Sequence, residues 1–271
     1  MPSLLALCCA IAYVSAASEA SQATPTASQK LEYASGTCES ALEQYCSGPE
    51  YKSWTASEIS EVDDAIADIS ATVNGRTVIL QARVPKLRRK SNDAANPTAN
   101  GISIVGDGFK FIALTDRFFE HSGLRDRWSG APGYRLQTRI LLHEIFHALD
   151  EGGRFSEQNA EFLALVGYRL GADNSLALPV TRDLALLFGE INGLRQKGEH
   201  AKAWDLERRI GRMLSETLFP TLLPSVGAFV GPKDGFAEIG AHLVLDPTAR
   251  QYLNPRVVEY FDRTLFTETA R

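Results

Sequence analysis

The chain has 271 residues, of which 44% are hydrophobic and 23% are charged, as is typical of a globular protein. This composition excludes collagen-like, disordered and membrane-channel proteins, and the formal net charge of −5 provides no overall positive field that would favour nucleic acid. A chain of this length can bury enough apolar surface to fold without staples.

The first segment of the chain is short and apolar and ends in small residues. For residues 1–16 we therefore predict a cleaved signal peptide, and hence a secreted or periplasmic protein with no membrane span in its mature chain. Residues 17–35, rich in Ala, Ser and Thr, are predicted to form a linker. In an exported protein Cys38 and Cys46 would form a disulfide, and the alternative is two free thiols.

The next segments alternate between helical and extended patterns. Apolar residues at helical spacing predict a helix over Ser57–Ser70. The run Thr77–Val84 predicts a strand that follows the turn Asn74-Gly75. The basic cluster Pro85–Lys90 contains no aromatic residues, and we predict a solvated loop there.

The remaining pattern determines the predicted fold class. Two short strands are expected near Ile102–Val105 and Phe109–Leu114. From Leu136 onward the pattern is helical almost to the end and is interrupted by prolines. The sequence therefore predicts an α+β fold in which a small mixed sheet packs on a helical majority.

One predicted helix, Leu136–Asp150, carries the residue types of a metal site. It contains the sequence H-E-I-F-H at 143–147. Positions i and i+4 lie on one face of a helix, so His143 and His147 can bind a single Zn²⁺. Glu144 stands beside them and could act as a base toward a water molecule at the metal.

The same helix has two other interpretations. In one, the histidines are polar residues at the edge of the core with no metal, although burying them beside a carboxylate would be costly. In the other, Glu144-x-x-His147 belongs to a di-iron helical bundle. Such bundles need a second E-x-x-H element, which this sequence lacks. Zinc is therefore favoured.

A catalytic zinc site needs a third protein ligand and leaves one position open. Two downstream segments predicted to be helical, Ser156–Leu170 and Gly231–Leu245, contain acidic residues. Sequence spacing alone does not decide among these candidates, which are Glu157, Glu161, Asp234 and Glu238.

Three stretches carry a resemblance to a known family: L-L-H-E-I-F-H-A-L-D, D-G-F-A-E-I-G-A-H-L-V-L-D-P and N-P-R-V-V-E-Y-F. Together they resemble the anthrax lethal factor-like zinc metallopeptidases over about half the chain. The resemblance implies a zincin-like domain over 36–271 with an unmatched helical insertion at about 176–223. It places Asp234 at the ligand position. Because the family has a glutamate there, Glu238 stays the alternative, ahead of Glu161.

The motif and the resemblance together predict a secreted, zinc-dependent endopeptidase, a hydrolase that cleaves peptide bonds through a metal-activated water. Glu144 would be its catalytic base, and His143 and His147, with Asp234 or Glu238, its metal ligands. The expected partner is a protein or peptide substrate.

One expectation concerns the substrate and another the competing function. The strand near Phe109–Leu114 could pair with an extended peptide. The alternative function is an exported, non-enzymatic zinc-binding or interaction protein with an inactive site, in which His242 would supply a fourth ligand.

Overall fold

A mixed sheet and a larger set of helices make up the part of the chain that the structure describes. The structure, a computed structural model, describes residues 32–34, 51–83, 86–92, 99–106, 109–125, 134–169, parts of 186–210, 224, 227–229 and 231–266. The predicted signal peptide over 1–16, the cysteines Cys38 and Cys46 and most of the predicted insertion 176–223 lie outside the described residues.

The sheet contains five short strands: β1 (Glu32–Ala34), β2 (Tyr51–Lys52), β3 (Lys86–Lys90), β4 (Gly101–Gly106) and β5 (Phe109–Leu114). Four of them follow the order β1-β3-β5-β4, and β2 pairs with the end of β3. Strands β1 and β5 run parallel to β3, whereas β2 and β4 are antiparallel to their neighbours. Strand β1 lies within the last part of the segment predicted to be a linker, 17–35.

The helices that the structure describes from end to end are α1 (Ala56–Ser70), α2 (Gly75–Ala82), α3 (Asp116–Glu120), α4 (Leu136–Asp150), α5 (Ala160–Val166), α6 (Pro232–Leu245), α7 (Ala249–Tyr252) and α8 (Pro255–Phe261). A 3₁₀ turn precedes α6 and a π-helical turn follows α8. The predicted α+β class is confirmed. None of the described helices combines the length and the apolar character needed to cross a bilayer.

The helix predicted over Ser57–Ser70 is α1, and its first turn shows why it begins where it does. The Thr55 side chain accepts a hydrogen bond from the Glu58 backbone, and the Glu58 carboxylate accepts one from the Thr55 backbone. This reciprocal arrangement satisfies two of the donors that a helix start leaves free.

The strand predicted over Thr77–Val84 is wrong, because most of this segment forms helix α2. Val78 and Ala82 lie one turn apart and are fully buried, whereas Leu80 between them is exposed. This periodicity is that of a helix packed by one face. The β-branched residues suggested a strand, but packing against the core decides the conformation.

The solvated loop predicted over Pro85–Lys90 is also wrong, because Lys86–Lys90 forms the central strand β3. Its two arginines are buried. Arg89 pairs with Glu58 at 2.8 Å and with Asp116, and the Arg88 guanidinium lies over the ring of Phe111. Partners of this kind allow a charged strand to lie inside the protein.

The two strands predicted near 102–105 and 109–114 are confirmed as β4 and β5. However, β5 is paired on both sides, with β3 and with β4, so it has no free edge for a peptide. The expectation that a substrate pairs with Phe109–Leu114 is therefore wrong. Among the described strands, β4 is the edge strand on this side of the sheet.

The core lies mainly on one face of the sheet. Leu87, Ile112 and Leu114 point into the main hydrophobic cluster together with residues of the helices, while Phe111 and Ala113 form a smaller cluster on the other face. Helix α4 lies at the centre of the main cluster and contacts α1, α2, α6, β4 and β5. Almost all of its residues are buried, which fixes the direction of its side chains.

Candidate metal centre

The two histidines of the H-E-I-F-H sequence lie on one face of α4, as predicted. Their Nε2 atoms are 2.9 Å apart, and their side chains keep 15% and 21% of their surface exposed for His143 and His147. Helix α4 covers the predicted range Leu136–Asp150 and ends in left-handed residues from Glu151 onward. The histidines are thus fixed by a buried helix but reachable from solvent.

Asp234 reaches this pair from the first turn of α6. Its Oδ1 lies 3.7 Å from Nε2 of His143 and 3.6 Å from Nε2 of His147. The triangle of these three atoms has a point about 2.0 Å from each corner, which matches the bond lengths of Zn²⁺ to imidazole nitrogen and carboxylate oxygen. The donor set, two imidazoles and one carboxylate, is also one that zinc binds. Within the described part of the chain, these three residues form the one cluster suited to a metal ion.

Glu238 lies one turn after Asp234, but its carboxylate contacts the opposite nitrogen of His143. Oε1 lies 2.8 Å from Nδ1, although the N–H direction is not aligned with it. Arg139 donates from Nη1 to both carboxylate oxygens, at 2.9 and 3.1 Å. Of the two acidic ligands considered for α6, the structure thus brings Asp234, and not Glu238, to the Nε2 atoms.

The other candidate ligands lie elsewhere. Glu161 pairs with Arg263 at the surface, and Glu157 pairs with Lys233 at 3.1 Å. His242 donates from Nδ1 to the backbone oxygen of Glu238 at 2.8 Å and does not join the described cluster. The fourth ligand expected for a closed site is therefore absent from the described residues around the histidines.

Asp150 lies at the end of α4 and is buried. Its carboxylate accepts hydrogen bonds from the backbone of Phe155 at 2.7 Å and from that of Ser156 at 3.1 Å, and also from the Ser156 hydroxyl. Asp150 therefore organises the turn that follows α4. His147 instead contacts His143 and Asp234.

Glu144 lies on the side of α4 that faces β4, and only 7% of its surface is exposed. A Cβ atom placed on Gly101 would come within 2.7 Å of its Cγ, so strand and carboxylate are in close contact. Burial raises the pKa of Glu144, while the two histidines and the backbone amide of Ser103 act in the opposite direction. A raised pKa suits a carboxylate that must accept a proton.

The charges of the cluster compensate one another. Burial opposes a proton on His143, but Asp234 and Glu238 outweigh it and raise the pKa of His143 to about 10. Burial acts against the charge of Asp234 as well, yet the two histidines lower its pKa. The two carboxylates thus favour a proton on His143, and a divalent cation would displace that proton.

Sequence reasoning missed three residues of this site. Arg139 could have been found, because it precedes His143 by four residues and so shares its helix face. Gly101 gave no signal, because its contact with Glu144 depends on the packing of β4 on α4. The third residue is Tyr168. It is buried, its hydroxyl donates to the Ala228 carbonyl at 2.7 Å, and its ring fills the space beside Gly235.

Comparison of the chain with family models, with curated proteins and with solved structures gives no significant match.

Proposed function

We propose that the protein is a zinc-dependent peptidase. The observation that carries this proposal is the convergence of two Nε2 atoms and one carboxylate oxygen around a point at zinc-binding distance, with Glu144 close enough to interact electrostatically with all three residues. His143, His147 and Asp234 would hold the ion. A bound Zn²⁺ would act as a Lewis acid that polarises a peptide carbonyl and makes water more acidic.

The residues of the chain have separate tasks in this proposal. Glu144 takes a proton from the attacking water and passes it to the leaving amine. Its enclosure by α4 and β4 holds the carboxylate in one position, which favours reaction by limiting reorganisation. The part-exposed side chains of the cluster, with 33% of the Asp234 side chain open, leave room for water and a substrate carbonyl.

Strand β4, which is an edge strand among the strands that the structure describes, offers a place for the substrate. It runs past Glu144, with Gly101 against the carboxylate, and it is paired with β5 on its other side. An extended peptide can add to an open edge through backbone hydrogen bonds. This arrangement would bring a scissile bond close to the metal and to Glu144, and it replaces β5 as the strand expected to bind the peptide.

The test compares the Glu144→Gln variant with the wild-type chain, both loaded with Zn²⁺. Each is incubated with a proteome-derived peptide library, and new amino termini are counted by mass spectrometry. Glutamine keeps the shape of the side chain but cannot accept the proton, so we expect hydrolysis to fall by about 10²–10⁴-fold. Zinc content should remain at the wild-type level.

The matched control is Glu161→Gln, which alters an acidic residue that pairs with Arg263 at the surface. It should cleave the library as the wild type does. If the wild type and Glu144→Gln produce the same new termini, or if the wild type produces none, the proposal is wrong.

A further inference from the structure

Arg139 is an additional component of the site and lies outside the H-E-I-F-H sequence. It lies one turn before His143 on α4, and its Nη1 contacts both oxygens of Glu238 at 2.9 and 3.1 Å. Only 17% of the Arg139 side chain and 6% of the Glu238 side chain are exposed. A charge-assisted hydrogen bond that is largely shielded from solvent orients the Glu238 carboxylate and also stabilises its negative charge.

The carboxylate held by Arg139 is the one that faces Nδ1 of His143, at 2.8 Å. The backbone of Glu238 is tied as well, because its carbonyl oxygen accepts a hydrogen bond from His242. Glu238 thus has three contacts: its carboxylate contacts Arg139 and His143, and its backbone carbonyl contacts His242. The imidazole ring next to it is in ion-pair contact with this carboxylate through Nδ1, without an aligned hydrogen bond, and its Nε2 is directed toward His147 and Asp234.

We infer that Arg139 is a positioning residue for the metal centre: it holds Glu238 against Nδ1 of His143 and thereby fixes the ring with Nε2 toward the ion. The inference rests on the proposed zinc site. Partners behind a metal-binding histidine orient the ring, and their loss weakens metal affinity by about 10–100-fold. In this protein the partner of His143 is Glu238, and Glu238 would in turn be held by Arg139. Arg139 would therefore influence metal binding without contacting the metal.

The contact also separates the two acidic residues of α6. Asp234 and Glu238 share a helix face, and either could approach an ion near His143. With Glu238 held by Arg139, the shorter Asp234 is the one left free to bind. The same guanidinium would therefore position the histidine and keep the longer carboxylate away from the ion.

The experiment measures the affinity of the metal-free full chain for Zn²⁺ by competition with a chromophoric chelator. The variants are Arg139→Met, Glu238→Gln and the two combined. We expect each single variant to bind zinc about 10–100-fold more weakly than the wild type. The double variant should bind zinc no more weakly than either single variant, because each change disrupts the same chain of contacts from Arg139 through Glu238 to His143. The control Arg135→Met, at the start of the same helix and paired with Asp64, should bind zinc as the wild type does.

Two further measurements separate positioning from a general loss of structure. Co²⁺ in place of Zn²⁺ should give an altered visible spectrum in Arg139→Met, since the geometry of a ligand changes, but not in Arg135→Met. Arg139→Lys keeps the charge without the planar fork and should weaken binding less than Arg139→Met. If Arg139→Met does not fold, Arg139→Lys and the double variant, which leaves no unpaired buried charge, carry the test.

The outcomes distinguish this inference from the proposed function. A wild-type chain that binds zinc, together with unchanged affinity in Arg139→Met, overturns the role of Arg139 alone. Losses that add in the double variant overturn it too, because they would show that the two residues act independently. A wild-type chain that does not bind zinc overturns the proposed function and this inference with it.

Discussion

At the scale of single residues, the contact between Gly101 and Glu144 leaves no room for a larger side chain at position 101. A methyl group on Gly101 would lie 2.7 Å from Cγ of Glu144 and 3.1 Å from its Oε1. One of the two must then shift, and displacement of a catalytic group by about 1 Å can cost about 10²-fold in rate. We expect Gly101→Ala to lower hydrolysis of the peptide library at least tenfold, with zinc affinity measured by chelator competition left unchanged.

A second glycine provides the comparison for this prediction. A Cβ on Gly189 would meet no atom within 4 Å, so Gly189→Ala should preserve hydrolysis. Wild-type activity in Gly101→Ala would show that the carboxylate does not need its present position.

The sequence was informative about residues whose relation is local. The spacing within one helix predicts His143, Glu144 and His147 as site residues. Arg139 lies four residues before His143, so the same spacing places it on the same helix face. The choice between Asp234 and Glu238 was out of reach, because it depends on which nitrogen of His143 each carboxylate approaches. That depends on how two helices pack, which spacing along the chain does not record.

At the scale of elements, the site depends on the close approach of α4 and α6. A Cβ on Gly240 of α6 would come within 2.4 Å of the ring of Phe146 on α4, so these helices meet where a side chain is missing. We expect Gly240→Ala to separate them and to lower the free energy of unfolding by about 1–3 kcal/mol. A fall of the melting temperature by several degrees, followed by circular dichroism, would be the sign of this change.

The overlap with the Phe146 ring, which is the reason for this prediction, can be tested by replacing Phe146 with a smaller side chain. Phe146→Leu in the Gly240→Ala background should destabilise the protein by less than the sum of the two single changes, because the smaller side chain relieves the overlap. Gly193→Ala, where a Cβ has no neighbour within 4 Å, serves as the control. Additive effects would contradict the overlap as the cause.

The elements also show where sequence patterns fail. Helices α1 and α4 follow from their long apolar periodicity, whereas α2 is only two turns long and too short for its period to outweigh its β-branched residues. In β3 the basic residues concealed a central strand. Their partners, Glu58 from α1 and Asp116 from α3, lie far away in the sequence, so the local composition indicated exposure where the fold provides burial.

At the scale of the whole molecule, the ion cluster around Arg89 links stability to pH. Burial raises the pKa of Glu58 and Asp116, but hydrogen bonds and the positive charge of Arg89 outweigh it, so both pKa values lie below their ordinary 4.5 and 3.8. The folded protein then binds fewer protons than the unfolded chain. This contribution to stability is complete above about pH 5 and is lost as the pH falls through the lowered values.

We therefore expect Arg89→Met to cost about 2 kcal/mol of unfolding free energy at pH 7, less than a fully buried pair because Asp116 is partly exposed. At pH 3.5 the difference from the wild type should be clearly smaller. Urea unfolding at the two pH values measures it. Arg263→Met, which removes the surface pair with Glu161, should show little effect at either pH, and an equal cost of Arg89→Met at both would contradict the prediction.

The convergence of α4 and α6 has a last consequence for the molecule. The atoms that would hold the ion come from residues far apart along the chain, at 143 and 147 on one side and 234 on the other, with the long stretch between them closed into a loop. An ion bound there would act as a removable crosslink. By mass action it would favour the folded chain by about 2.7 kcal/mol when free zinc exceeds the dissociation constant a hundredfold. The free energy of unfolding would then rise with the concentration of free zinc around the protein.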